Sequence, residues 1–132
     1  MFKHVLIPTD GSPLSERAAL GAVQLAKSLA ARLTAIRVSV PYWVFALNPA
    51  KASVSEDTYR NNCEKRAAGV AFDGIHVFAE HPYAAIIEAA QDNDCDAICM
   101  ASHGHKGLAA LVLGSETVQV LTHSRIPVVV WR

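Results

Sequence analysis

Cys99-Met100-Ala101-Ser102-His103-Gly104-His105-Lys106-Gly107, then an apolar run, then Gly114-Ser115-Glu116-Thr117: this stretch decides how the chain folds. Asp96-Ala97-Ile98-Cys99-Met100 is short and mostly apolar, which suits a strand buried on both faces. Gly104 and Gly107 permit positive φ and close backbone approach. Ser115 is a candidate N-cap, and Val118, Val120 and Leu121 supply the expected buried side of a short helix. The stretch therefore reads as strand end, glycine-bearing loop and helix start. A helix start presents unpaired N–H groups and a partial positive charge, which favour phosphate. The spacing is Ala101-x2-Gly104-x9-Gly114-Ser115.

Working outward, the beginning of the chain repeats the theme. Val5-Leu6-Ile7 is an apolar, β-branched-rich strand, broken by Pro8-Thr9-Asp10-Gly11-Ser12-Pro13. Ser12 can cap a helix whose first residue is Pro13. Leu14, Ala18, Ala22, Leu25 and Leu29 then recur at helical steps and form one apolar face. Leu33 to Val40 alternates and reads as a second strand, so the first 40 residues form a right-handed βαβ unit.

Pro41 to Ala52 is irregular and aromatic-rich, with Tyr42, Trp43, Phe45 and Leu47. Such a loop packs on its own domain or serves as a lid or contact surface. Ser53 to Ala68 is polar and helix-compatible. Asp73-Gly74 reads as a turn and Ile75 to Ala79 as a third strand. Pro82 opens a helix over Tyr83 to Gln91, ended by Asp92-Asn93-Asp94. Pro127-Val128-Val129-Val130-Trp131 is a fifth strand. Five strands alternating with four helical segments specify an α/β, doubly wound parallel sheet in three layers, formed as a single domain over 1–132. Ligands in such sheets bind at the carboxyl ends of the strands, where the strand order reverses. The loop after strand one and the loop after strand four meet there only if those strands are neighbours.

Composition narrows the function. Twelve basic and twelve acidic residues cancel, so the chain lacks the electrostatic footprint of a nucleic-acid binder or of a protein docked on anionic membrane. No apolar run approaches the roughly 20 residues of a membrane span. Met1-Phe2-Lys3-His4 leads directly into a strand without a signal-peptide pattern. Three cysteines lack a disulfide-framework spacing, and the expected setting is reducing and cytoplasmic.

These motifs resemble the universal stress protein family. The glycine loop is similar to the family's Gly-x2-Gly-x9-Gly-Ser/Thr nucleotide loop at Gly104, Gly114 and Ser115. Ile7-Pro8-Thr9-Asp10-Gly11-Ser12-Pro13-Leu14-Ser15 is similar to its first strand and turn. Leu113-Gly114-Ser115 through Pro127-Val128-Val129-Val130 is similar to its closing helix and strand. The resemblance implies a Rossmann-like sheet of order 3-2-1-4-5. It also implies a homodimer through the last strand, at Val128, Val129, Val130 and Trp131.

In the nucleotide-binding branch the resemblance further implies ATP, or ADP or AMP, at the crevice. Pro8, Thr9 and Asp10 would border the adenosine, and Val38 would pack on the adenine. Met100 and Ala101 would line the sugar side, close to His103. Gly104, Gly114, Ser115 and the N–H groups of Glu116 and Thr117 would receive the phosphates. Mg2+ would ride on those phosphates rather than in a protein cage. Each role has a plainer counterpart: Asp10 caps its own turn, Val38 is a core valine, and Gly104 and Gly114 simply form turns. Three residues depart from the family pattern. Ala101 stands where glycine is usual, and His105 stands where arginine is frequent, beside Lys106. Glu116 would repel phosphate if aimed inward.

No Gly-x4-Gly-Lys-Ser/Thr loop is present. His103 and Asp10 are the only residues suited to base chemistry, so binding with little or no hydrolysis is expected. His103-Gly104-His105 has no evident third metal ligand. Cys95 and Cys99 lie four apart on an extended segment, too far at about 3.3 Å per residue to share a zinc or a disulfide. Three readings stay open: a dimeric nucleotide-binding sensor or signalling module of the stress response, a non-nucleotide-binding dimer acting through an unidentified regulatory protein, and a slow ATP hydrolase.

Overall fold

Val5, Leu6 and Ile7 point alternately to opposite faces of a strand, yet all three are buried. Both faces must therefore be covered. The computed structural model describes residues 1–40, 69–102 and 113–132 and shows what covers them. In chain order the elements are β1 (His4–Pro8), α1 (Pro13–Leu29), β2 (Arg32–Ser39), β3 (Phe72–Phe78), α2 (Pro82–Asp92), β4 (Ala97–Ala101), α3 (Ser115–His123) and β5 (Val128–Trp131). The sheet order is β3-β2-β1-β4-β5, every pair parallel. The loop 41–52, the helix expected over Ser53 to Ala68, and Cys63 lie outside the described residues.

The strand alternation sorts the core into two halves. Val5, Ile7, Leu33 and Cys99 face Ala22, Val23 and Ala26 of α1. Leu6, Ile36, Ile98 and Met100 face Ile86, Ala89 and Ala90 of α2 and Val120 of α3. Among the described residues one helix thus lies on one face and two on the other, the three-layer arrangement expected from the sequence. Among the described residues no helix is long and apolar enough to cross a membrane.

The helix ends follow local chemistry. Ser12 caps α1: its Oγ accepts the Ser15 N–H at 3.2 Å, with Pro13 at the first helical position. Beyond α1, Ala30 (φ 52°) takes the left-handed conformation, and its N–H returns to the carbonyls of Ala26 and Lys27. Asp94 (φ 52°) does the same shortly after α2, whose last carbonyls it helps to close.

Three local expectations are corrected. Asp73 and Gly74 form no turn; they lie within β3, paired with Thr34 and Ala35. Polar and flexible residues are admitted there because β3 is an edge strand, and the positive φ falls earlier, at Gly69 (φ 86°). Ser115 is the first residue of α3, and Gly114 holds the N-cap position. The buried side of α3 is Thr117 and Val120, while Val118 and Leu121 face outward. A buried threonine hydroxyl rotates the helix away from the face its aliphatic residues alone suggest.

Candidate functional site

The neighbours β1 and β4 decide where the loops go. Val5 pairs with Ala97 and Leu6 with Ile98, so the two strands run side by side and leave the sheet at the same end. From β1 the chain turns toward β2, and from β4 it turns toward β5. Their carboxyl ends therefore border a cleft at the reversal of strand order, the usual ligand position in open α/β sheets.

The β1 side of this cleft is a rigid turn. Thr9 donates its N–H to the Ile36 carbonyl at 2.9 Å, prolonging the strand beyond Pro8. Asp10 is exposed, and its Oδ1 accepts the Ser12 N–H at 2.9 Å, so it does cap its own turn. Gly11 has φ 79°, a conformation that favours glycine. Ser15 is buried, and its hydroxyl donates to the Ser12 carbonyl at 3.1 Å. This network fixes the direction in which the Asp10 carboxylate leaves the turn.

The β4 side is pinned in several directions. Ser102 donates its N–H to the Trp131 carbonyl at 2.8 Å, and the Ser102 carbonyl accepts the Gly114 N–H at 2.7 Å. Thr117, 2 % exposed, donates its hydroxyl to the Ala101 carbonyl at 2.9 Å. The first turn of α3 is thereby bolted onto the end of β4. Val118 makes the first intrahelical bond, to the Gly114 carbonyl. Helix geometry leaves the amides of Ser115, Glu116 and Thr117 without an intrahelical acceptor.

Two of the departures noted in the sequence, Ala101 and Glu116, resolve physically. Ala101 packs its methyl with Leu14 and Ala18 against α1 and has no positive φ. Its extra carbon is absorbed by the core. Glu116 does not lie idle: its Oε2 accepts the Tyr83 N–H at 2.8 Å. It thus caps α2, whose own N-cap residue, His81, makes no side-chain capping bond. Sequence reading missed this link, since 33 residues separate the partners; the only available signal was an α2 start without Ser, Thr, Asp or Asn before Pro82.

Pro8 and Thr9 are half-buried at the end of β1, and Val38 is half-buried near the end of β2. Val38 and Met100 both belong to the core half that faces α2 and α3, Met100 as a buried member. His103, Gly104, His105 and Lys106 lie outside the described residues. Cys95 and Cys99 are both free thiols in the core. Burial pushes each up to about 11; at Cys95 the neighbouring Asp96 carboxylate adds to the effect.

The topology defines a doubly wound α/β domain whose strand order reverses between its first and fourth strands. The model of the universal stress protein family matches residues 1–132. Universal stress protein MJ0531 of Methanocaldococcus jannaschii is 33% identical over 140 residues, covering 98% of this chain and 82% of that protein. The chain belongs to the universal stress protein family.

Among solved structures, that of hypothetical protein MJ0577 superposes with a TM-score of 0.80 at 26% identity, covering 99% of this chain and 96% of the other. A universal stress protein in complex with cAMP gives a TM-score of 0.73 at 23% identity, covering 99% and 97%. The universal stress protein from Archaeoglobus fulgidus in complex with dAMP gives 0.68 at 14%, covering 100% and 98%. At those last two identities the likeness is one of fold.

Proposed function

We propose that this chain binds an adenine nucleotide in the β1–β4 crevice and acts as a dimeric sensor or signalling module of the stress response, with little or no turnover. The observation that carries the reading is the β1–β4 pairing. It sets the Asp10 turn and the pinned first turn of α3 at one end of the sheet. The residues present fit such a ligand. The exposed Asp10 carboxylate suits a ribose hydroxyl or the adenine amino group, with Pro8, Thr9 and Val38 supplying apolar contact. Gly114 and the amides of Ser115, Glu116 and Thr117 suit phosphate, and Gly104 and His103, outside the described residues, belong to the same proposed set. Two fold relatives are solved with cAMP and with dAMP, which supports an adenine ligand. ATP, ADP and AMP are all candidates, with Mg2+ carried on the phosphates.

The β5 edge supports the dimer. Val128 to Trp131 pair with β4 on one side, and no described strand covers the other. An uncovered run of strand amides and carbonyls is well matched to a second copy of itself. A small cytoplasmic domain of this kind signals through its occupancy and its dimer surface rather than through chemistry.

Calorimetric titration with ATP, ADP and AMP, repeated on Gly114→Val, tests the reading. The backbone at Gly114 (φ −62°, ψ 153°) lies in the region open to L residues, so valine there adds no backbone strain and puts a branched side chain at the proposed phosphate end; an unchanged melting temperature of the variant confirms that it folds. Micromolar binding without product formation, weakened in the variant, is the expected result. Absence of heat and of any thermal shift points to a non-binding dimer, and steady product formation points to a hydrolase.

A further inference from the structure

We propose that two copies of this chain pair their β5 strands antiparallel in one defined register, centred on Val129. The inference rests on the dimer reading above and deepens it by naming the backbone groups that meet. Among the described residues β5 bonds to β4 on one side only. Ile98 donates its N–H to the Pro127 carbonyl at 2.9 Å, and Ser102 donates its N–H to the Trp131 carbonyl at 2.8 Å. Val129, midway between Pro127 and Trp131, stands in the same phase, because the register from Ile98↔Val128 to Ala101↔Trp131 is unbroken. Along a strand the N–H and C=O of one residue point to the same side, and successive residues alternate. Val129 and Trp131 therefore direct their backbone groups at β4, and Val128 and Val130 aim theirs at the open edge.

Nothing within the strand protects that edge. Val128-Val129-Val130-Trp131 carries no charge, no proline and no bulge, the devices that usually blunt one. Apolar residues border it. The Trp131 indole lies over Gly21 and is partly exposed, and Leu20, next to that glycine in α1, is exposed as well. On the other face α3, which leads into β5, turns Val118 and Leu121 outward. An edge that presents the same groups on every copy is closed by a two-fold pair, and a two-fold runs the strands antiparallel.

The register follows from which groups are available. A one-residue slip would set outward groups against inward-directed ones, so only alternate registers bond. Centring on Val129 sets Val128 opposite Val130 of the partner subunit, and Val130 opposite Val128 of the partner subunit. Every outward group of the strand is then paired. Centring on Val128 would set Val130 opposite Ile126 of the partner subunit. The Ile126 N–H already goes to the Ser124 hydroxyl at 3.0 Å, and its carbonyl accepts that hydroxyl's proton at 2.9 Å. Centring on Val130 would leave Val128 to Arg132 of the partner subunit, a residue outside β5.

Disulfide trapping in a Cys63→Ser background tests the register. Across the axis the two Val129 residues form a non-hydrogen-bonded pair, with Cα atoms about 4.5 Å apart, a span that a disulfide bridges. Val128→Cys and Val130→Cys would each stand more than about 7 Å from the same residue on the second copy, beyond that span. Oxidised Val129→Cys should therefore run as a covalent dimer on non-reducing gels, and the other two as monomers. Val130→Pro should lose half of the bonds across the edge while keeping those to β4, and sediment as a monomer with its circular dichroism retained. Without any substitution, the amides of Val128 and Val130 should resist hydrogen exchange as that of Val129 does. Linking at Val128→Cys or Val130→Cys in place of Val129→Cys, or at none of the three, would overturn the register while leaving the dimer. A dimer whose Val128 and Val130 amides exchange freely would put the contact elsewhere and overturn it as well. An unaltered chain that sediments as a monomer at every concentration would overturn the dimer reading itself, and the register with it.

Discussion

Gly21→Ala gives the sharpest test of how the last strand is held. Gly21 lies buried in the middle of α1. A Cβ there would fall 2.6 Å from Cη2, 2.7 Å from Cζ2 and 2.8 Å from Cε2 of Trp131. Those separations are impossible for non-bonded carbon, so the indole must move. Trp131 is 37% exposed, so it has room to swing outward from α1. Uncovering about 60 Å² of ring at about 25 cal/mol per Å² costs about 1.5 kcal/mol. Alanine in place of glycine inside a helix returns about 0.8 kcal/mol. The net expectation is a loss of about 0.7 kcal/mol. In a Trp131→Ala background the clash vanishes, and Gly21→Ala should stabilise by about 0.8 kcal/mol. Urea unfolding followed by circular dichroism on the four chains measures the cycle. If Gly21→Ala has the same effect in both backgrounds, to within about 0.4 kcal/mol, the indole is not seated on Gly21 and the reasoning fails.

Two further outcomes can be stated. Burial alone would raise the Asp96 carboxyl, but the N–H groups of His4 and Lys3, at 3.0 and 2.7 Å, overcome it and hold the group below the ordinary 3.8. A depressed carboxyl stabilises the fold above its unfolded value, and this contribution is lost as pH falls through the folded one. Asp96→Ala should therefore cost about 1–2 kcal/mol at pH 7 and progressively less below pH 4, read by urea melts across that range; a constant gap would contradict it. Cys95 and Cys99, each pushed up to about 11 by burial first, stay protonated at pH 8, and stability from them is lost only as pH climbs from 9.0 toward that value. Iodoacetamide at pH 8 should leave both peptides unmodified in the native chain and label both in urea, as mass spectrometry of the digests can show; rapid native labelling would refute their burial.

How much was legible in the sequence depended on how locally each feature is written. The first βαβ unit follows from Val5-Leu6-Ile7, the Ser12-Pro13 start and the helical recurrence of Leu14, Ala18 and Ala22, all within one short segment. The α1 cap came out as read, because a serine before proline leaves few alternatives. Asp73-Gly74 misled because turn chemistry outweighs strand propensity in a short window, whereas pairing with Thr34 and Ala35 settles the strand. The orientation of α3 was hidden because Thr117 is buried by a bond to Ala101, a tertiary partner that no hydrophobic period reports. Residue identity and spacing pointed to the ends of β1 and β4, while the adjacency of those strands waited on the sheet order. The fate of Glu116 was illegible for the same reason: its acceptor role belongs to another helix.

That borrowed cap has a consequence for biosynthesis. As the polypeptide leaves the ribosome, Tyr83 emerges well before Glu116, so α2 must wait with a ragged beginning until the later segment arrives. Nascent chains halted ahead of residue 116 should fray at Pro82–Tyr83, and complete ones should not. Assembly of this half of the sheet is thereby made contingent on translation passing residue 116.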